Sequence, residues 1–423
     1  MTPSRLVAVA AGAALVLTGC VANQPMGGAS SASEVISVSA SETACAVAPA
    51  TAASGVVRFR ITNNGPQTTE FYVLAADGLR VVAEKENIAT GATSELSAQM
   101  QPGSYFTACK PGMRGENVGK AAFTVTGGPV QMTGNDQALL GQVVTKYVSF
   151  VKNEIAELQP QAAKLADAYA AGDDATARSL FATTRLHYER VEPIAEALGI
   201  LDPRIDYREI DYKAEAAALA KDDPTFTQWL GFHRIEKDLW VPAKDALQPD
   251  GSPAWGDWRP STPAERAVIA KTLVADIGRL YDTVHADNFA ATHHVDLATV
   301  SNGASALLEE IATSKVTGEE DWWSHTDLYD FQGNLQGARI AFDLVAPVAE
   351  GQSEAGKPLV ARIDTEFDKL QALLDSHGSV SSGFTSYDKV SRSQRRQLVE
   401  QIDATREPLS KLTNAVLGIE GGK

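Results

Sequence analysis

No histidine precedes His187 in this chain of 423 residues, so a trigonal copper centre of two imidazoles and one thiolate is impossible anywhere in residues 20–150. Cysteine is scarce as well, with only Cys20, Cys45 and Cys109 present. His-Glu-x-x-His is missing, which removes the common helical zinc-peptidase arrangement of two imidazoles four residues apart beside a glutamate base. Basic residues are outnumbered, 37 against 53 acidic, and the formal net charge of −16 disfavours nucleic acid and anionic membrane surfaces while remaining compatible with cation handling. No short-period repeat is present. The remaining composition, 44% hydrophobic and 21% charged, describes a globular chain long enough for two or more domains.

The N-terminus has its own character. Arg5 precedes an apolar run from Leu6 to Leu17, followed by Leu17-Thr18-Gly19-Cys20. The run is too short to be a permanent membrane span, and small residues precede the cysteine, as in a bacterial lipoprotein signal peptide cut before a lipidated residue. We expect residues 1–19 to be removed, Cys20 to carry lipid, and residues 20–33, rich in Ala, Ser and Gly, to form a flexible tether. That placement is extracytoplasmic and oxidising, where Cys45 and Cys109 form an even pair whose default is a disulfide; a copper site is the alternative.

Between residues 34 and 127 the pattern is that of strands. Val57-Arg58-Phe59-Arg60-Ile61, Phe71-Tyr72-Val73-Leu74 and Ala121-Ala122-Phe123-Thr124-Val125 are separated by Asn63-Asn64-Gly65-Pro66, Ala76-Asp77-Gly78 and Gln101-Pro102-Gly103. Short strands at this spacing predict an all-β sandwich. From residue 132 to 423 the period is helical, as in Leu139, Val143, Tyr147, Phe150 and Val151, and later Ile269, Leu273, Ile277 and Leu280. This part is expected to be an all-α bundle domain, and its length accommodates two successive bundles. Helix boundaries are marked by Ala171-Gly172-Asp173-Asp174, Leu201-Asp202-Pro203, Ser261-Thr262-Pro263, Lys315-Val316-Thr317-Gly318 and Gln352-Ser353.

Within that helical part, Trp229, Phe232, Leu239 and Trp240 fall on one apolar face, and His233 and Glu236 fall on the same face. An imidazole and a carboxylate three residues apart lie one above the other on a helix, so both can reach one ion. Burying a carboxylate without a partner costs roughly several kcal/mol, which calls for a cation or a dense hydrogen-bond network. Glu189 and Glu192 flank the stripe of Phe181, Tyr188, Val191, Ala195 and Leu198, and Pro193 deletes the amide that would have bonded the Glu189 carbonyl. These two glutamates fit a solvated acidic face equally well. In residues 294–313, Leu297, Val300, Ala304, Leu307, Leu308 and Ile311 set the buried stripe, and Glu310 is nearer its border than Glu309, which makes it the better candidate ligand. Of seven histidines, His187 reads as helix surface, His285, His293, His294 and His377 lie near helix ends, and His325 sits beside a cap formed by Ser324 or Thr326.

Gly231-Phe232-His233-Arg234-Ile235-Glu236 is similar to the Gly-x-His-x-x-Glu signature of imelysin-like domains. His187-Tyr188-Glu189-Arg190-Val191-Glu192-Pro193, Asp202-Pro203-Arg204-Ile205-Asp206, Ser301-Asn302-Gly303-Ala304, Leu307-Leu308-Glu309-Glu310, Lys315-Val316-Thr317-Gly318-Glu319-Glu320 and Ser324-His325-Thr326-Asp327-Leu328-Tyr329-Asp330-Phe331 follow in the same order. Over nearly the whole mature chain the sequence resembles the EfeO family, extracytoplasmic components of bacterial EfeUOB iron-uptake systems that join a cupredoxin-like domain to an imelysin-like one. The resemblance implies iron, ferric or ferrous, held by His233 and Glu236 with Glu189, Glu192 and Asp206; helix geometry adds Glu310. Zinc and copper are lesser alternatives. It also implies that Cys45, Glu70 and Cys109 occupy positions proposed to bind metal, although a disulfide would consume both thiolates. Implied partners are an iron permease and a haem-peroxidase-like component. A set of carboxylates with one imidazole suits a hard, oxygen-preferring ion. The competing reading is a metallopeptidase, since imelysin-like domains have been grouped with peptidases on the His-x-x-Glu motif; a polysaccharide-binding or purely structural domain would leave His233 and Glu236 unexplained.

Overall fold

The structure is a computed structural model that describes residues 35–419, apart from 75, 77–80, 113–116, 131–134 and 314. The expected signal peptide, Cys20, the tether and the turn residues Asp77 and Gly78 lie outside the described residues. Nine strands come first: β1 (Val35–Ala40), β2 (Cys45–Ala48), β3 (Thr51–Ala53), β4 (Gly55–Asn63), β5 (Thr69–Leu74), β6 (Val81–Ile88), β7 (Thr93–Met100), β8 (Gly103–Pro111) and β9 (Val118–Thr126). They form two sheets, in the orders β2-β1-β4-β7 and β3-β9-β8-β5-β6. The cause is legible in β4, where Val57, Phe59 and Ile61 are buried while Arg58 and Arg60 alternate outward. Arg60 lies directly opposite Glu95 of β7 and pairs with it at 2.9 Å. The inward side chains of both sheets, Phe59, Phe71 and Phe123 among them, share one core. A Cys45–Cys109 disulfide joins β2 of one sheet to β8 of the other across a sequence separation of 64.

Helices follow: α1 (Asn135–Ala171), α2 (Asp174–Glu189), α3 (Glu192–Ala195), α4 (Leu201–Asp206), α5 (Glu209–Asp222), α6 (Phe232–Leu239), α7 (Pro263–His285), α8 (Phe289–Thr292), α9 (Leu297–Thr313), α10 (Asp327–Gln352), α11 (Gly356–Asp375), α12 (Arg392–Leu409) and α13 (Leu412–Val416). Their starts obey local chemistry. Asp173 caps α2 by accepting from Thr176, and Thr262 and Glu265 close a capping box ahead of Pro263 on α7. The length accommodates two successive bundles, but one continuous apolar core runs from Val143 of α1 to Val416 of α13. The buried length of α10, packed against α9, α2 and α11, leaves nowhere for the core to divide. No helix among the described residues is long and apolar enough to cross a membrane.

The sandwich rests on the helices through polar contacts. Lys85 of β6 reaches Glu309 of α9 at 2.6 Å, Lys110 of β8 reaches Glu215 of α5 at 2.9 Å, and Asn87 donates to Thr313 at 2.8 Å.

Candidate metal centre

Gly231 explains how the central motif is placed. It has φ +88°, and a Cβ there would meet the carbonyl oxygen of Ile205 at 2.2 Å. Only glycine lets the chain turn and start α6 against the last turn of α4. That contact brings His233 beside Asp206. The helix is shorter than its apolar pattern suggested, because Trp229 precedes this turn and Trp240 follows the last helical residue. Trp229 instead donates its indole N–H to the Tyr207 carbonyl at 2.6 Å.

A second close approach places the glutamates. Gly333 of α10 lies where a Cβ would meet Glu189 Cβ at 2.5 Å, so α10 packs tightly over the end of α2. Glu189 and Glu192 are not on one helix as their spacing suggested. One ends α2 and the other begins α3, and the missing Pro193 amide falls at that break. They converge all the same: Lys315 Nζ lies 2.9 Å from Glu189 Oε2 and 2.9 Å from Glu192 Oε2, and Asn334 Nδ2 donates to the same two oxygens at 2.9 and 2.7 Å. Arg185, fully buried, donates to Asp206 and Glu189, lies 3.2 Å from Glu320 Oε1, and lies 3.4 Å from Asp330 Oδ1 and 3.5 Å from Asp321 Oδ1.

His233 stands in the middle of this set, 2% exposed. Its Nδ1 is 3.1 Å from Glu236 Oε2. Its Nε2 has no hydrogen-bond partner, yet Glu320 Oε1 lies 3.5 Å and Asp206 Oδ1 3.7 Å from it. Ligand-type atoms of Asp206, His233 and Glu320 all lie within 4.8 Å of one another, as do those of Glu189, Glu192, Asp206 and Glu320, and those of His233, Glu236 and Asp321. Asp321 Oδ1, Asp327 Oδ2 and Asp330 Oδ2 are further buried atoms without a hydrogen-bond partner.

The electrostatics follow from burial. Loss of water, and then repulsion from Glu189 and Glu320 against the pull of Arg185 and His233, pushes Asp206 up to about 7. Burial likewise pushes Glu310 up to about 7 and Asp202 up to about 6, the latter although Tyr188 donates to it at 2.6 Å. Burial and repulsion from Glu189 raise Glu192 well above the usual carboxylate range. Glu320 goes the other way: burial opposes its charge, but Lys315, His233 and Arg208 hold it well below that range. Burial and Arg185 oppose charge on the imidazole, but Glu236, Glu320 and Asp206 outweigh them and raise His233 to about 10. Arg185 and Lys315 thus neutralise part of a larger negative charge.

The expected residues are accounted for as follows. His233, Glu236, Glu189, Glu192 and Asp206 come together. Glu310 stands at the edge, 3.4 Å from Lys315 Nζ. Glu309, rather than Glu310, is the deeper of the pair, because Lys85 of β6 and Arg406 of α12 cover it, the latter at 3.0 Å. His187 is half-buried between α2 and α1 instead of on the surface, 2.8 Å from Glu154 Oε2 and 2.9 Å from Gln161 Nε2. In the sandwich, Cys45 and Cys109 are spent on each other. Glu70 pairs in register with Lys110 while Phe71 pairs with Cys109, so Glu70 and Cys109 project from opposite faces of the sheet. Glu70 is tied by the Tyr72 hydroxyl at 2.5 Å, and burial pushes it up to about 7 despite Lys110.

Sequence reasoning missed Arg185, Lys315, Glu320, Asp321, Asp327, Asp330 and Asn334. One signal was available: Asp327 and Asp330 sit three apart among Leu328, Phe331 and Leu335, the buried face of α10.

A cupredoxin-like domain matches residues 8–121, and the imelysin family model matches residues 143–412. This defines a two-domain protein of cupredoxin-like and imelysin parts. The iron uptake system component EfeO of Yersinia pestis is 34% identical over 385 residues, spanning 91% of this chain and 92% of the relative. The component of the same name from Escherichia coli strain K12 is 35% identical over 387 residues, with the same coverage of 91% and 92%, as is that of Shigella flexneri. The chain belongs to the EfeO family of iron uptake system components.

Proposed function

We propose that this protein is the extracytoplasmic iron-binding component of an EfeUOB-type uptake system, capturing iron in its helical domain and passing it to a membrane permease. The observation that carries the reading is the buried, unpartnered Nε2 of His233 among the oxygens of Asp206 and Glu320, with Glu189 and Glu192 alongside. Ligand atoms about 2 Å from an ion sit roughly 3–4 Å from one another, the range seen around Nε2. One imidazole in a carboxylate shell suits iron over softer ions. Glu310, 3.4 Å from Lys315 Nζ, stands at the edge of the centre. Residues 34–127 then form the cupredoxin-like domain and residues 132–423 the imelysin-like one. Lipid on Cys20 and the stretch to residue 33 would hold both outside the membrane, within reach of a permease and a haem-peroxidase-like partner. Membership of the imelysin family raises the peptidase alternative, but His233 and Glu236, 2% and 1% exposed, are buried among carboxylates in a way that suits an ion better than a peptide chain.

The test is anaerobic calorimetric titration with ferrous iron, and with ferric citrate, of the parent and of a His233→Ala, Asp206→Asn double variant. The parent should take up one ion in the helical domain, and the double variant should bind at least about 100-fold more weakly while keeping its circular dichroism. Equal affinity in the folded variant would remove the assignment.

A further inference from the structure

His233 and Glu236 were expected to reach one ion together. The geometry points to a different division of labour, in which Glu236 is a positioning residue that holds His233 and does not itself bind the ion. This rests on the reading of the centre as an iron site. Glu236 is held from three directions. Its Oε1 accepts from the backbone N–H groups of Trp323 at 2.9 Å and Ser324 at 2.8 Å. Its Oε2 lies 3.1 Å from His233 Nδ1, at hydrogen-bond distance. A carboxylate can only accept, so the proton in that bond belongs to Nδ1. With Nδ1 carrying the proton, Nε2 is the nitrogen left to bind an ion. It is also the nitrogen without a hydrogen-bond partner, and the one that faces Asp206 and Glu320. A metal-bound imidazole whose other nitrogen donates to a carboxylate is oriented and made more basic by it.

The clamp has a structural consequence. Trp323 and Ser324 belong to the same stretch, between Lys315 and α10, that supplies Glu320 and Asp321. By accepting from those two amides, Glu236 ties this stretch to α6 and sets where Glu320 stands relative to Nε2. The ion is therefore shared by His233 Nε2, Asp206 and Glu320, with Glu189 and Glu192 beside them, and Glu236 acts through His233.

The two amides are fixed donors, which makes glutamine informative. In Glu236→Gln the side-chain oxygen must face them, so its NH2 group faces Nδ1. Nδ1 must then accept, the ring proton moves to Nε2, and the ligand nitrogen is blocked. Alanine removes the orienting bond without imposing the wrong tautomer. A ligand role predicts no such contrast, because either change would delete the same metal–oxygen bond.

The experiment uses zinc as a diamagnetic probe. In protein labelled with 15N-histidine and loaded with Zn²⁺, the His233 signals, assigned by their loss in His233→Ala, should show a proton-bearing Nδ1 and a metal-bound Nε2. Metal on Nδ1 would overturn the proposal, and this measurement needs no substitution at Glu236. In titrations with Zn²⁺ and Fe²⁺, Glu236→Ala should still bind one ion, about 10–100-fold more weakly. Glu236→Gln should bind more weakly than Glu236→Ala. Equal losses in the two variants, matching that of Glu320→Gln, would make Glu236 an ordinary ligand. If the parent bound no ion, the iron-site reading itself would fall, whereas a parent that binds through Nδ1 would sink only the role given to Glu236.

Discussion

Asn63 in the sandwich and Asp327 in α10 are both fully buried, and they are treated in opposite ways. Asn63 donates to the carbonyls of Gln67 and Ile88, each at 2.7 Å, and accepts from Gly65 at 2.9 Å, so its amide is satisfied. Asp327 accepts one long bond from the Asp321 amide at 3.3 Å and keeps Oδ2 without a partner. Asp330 Oδ2 and Asp321 Oδ1 lack a hydrogen-bond partner too, although Arg185 Nε lies 3.5 Å from the latter. A buried polar group left unpaired costs about 1–3 kcal/mol, so the sandwich is organised for its own stability while the helical centre tolerates a stored cost. A bound cation would relieve that cost, in keeping with the function proposed for the helical region.

The largest expected effect sharpens this contrast through pH. Asp206, raised to about 7, and His233, raised to about 10, hold protons that an incoming ion must displace. Raised values mean that protons compete below them, so affinity falls as pH drops. The loss should be roughly tenfold per pH unit for each proton displaced, or at least about 100-fold between pH 7 and pH 5. Titrations in buffers of different ionisation enthalpy would count the protons released. An affinity flat across that range would mean that these groups are not where the ion binds.

Next in size is the sandwich staple. Replacing Cys45 and Cys109 with alanine removes a crosslink with a separation of 64 residues, worth about 4 kcal/mol in the chain-entropy model. Chemical denaturation followed by fluorescence should show that loss, while iron affinity measured on the folded variant stays unchanged. Should affinity fall along with stability, the separation of a structural sandwich from a binding helical region would break down.

Much of this contrast was legible in sequence, and for a physical reason. The two-residue alternation in β4 and the capping chemistry at Thr262 act locally, so they survive in the pattern. His233 was legible because an imidazole on an apolar helix face needs a reason to be there. Arg185 and Lys315 were not, since a long basic side chain reads as solvated until the packing around it is known. Glu320 and Asp321 follow a 3-10 turn with no period, where an acidic run looks like a loop exposed to water. Asp327 and Asp330 occupy the first turn of α10, where acidic residues favour the helix dipole whether or not they bind anything. Helix geometry alone puts Glu310 nearer the buried stripe than Glu309; the burial order is reversed because a strand from the other domain covers Glu309, while Glu310 is the one that reaches Lys315 at the edge of the centre.

The smallest effect would come from making α10 resemble the sandwich. Burial and the neighbouring Asp321 carboxylate raise the Asp327 carboxyl well above the usual range. A carboxyl raised in the folded state binds its proton more tightly folded than unfolded, so its contribution to stability is present at low pH. That contribution is lost as pH rises above the unfolded value, which lies near 4. Asp327→Asn keeps an acceptor for the Asp321 amide and removes the titration. In the presence of a chelator, the variant should be more stable than the parent by on the order of 1 kcal/mol at pH 7, and the gain should shrink toward pH 5. Urea denaturation at the two pH values would measure it. A variant less stable than the parent at pH 7 would show that the Asp327 charge is already compensated by the protein, and its unpartnered oxygen would then say nothing about a cation.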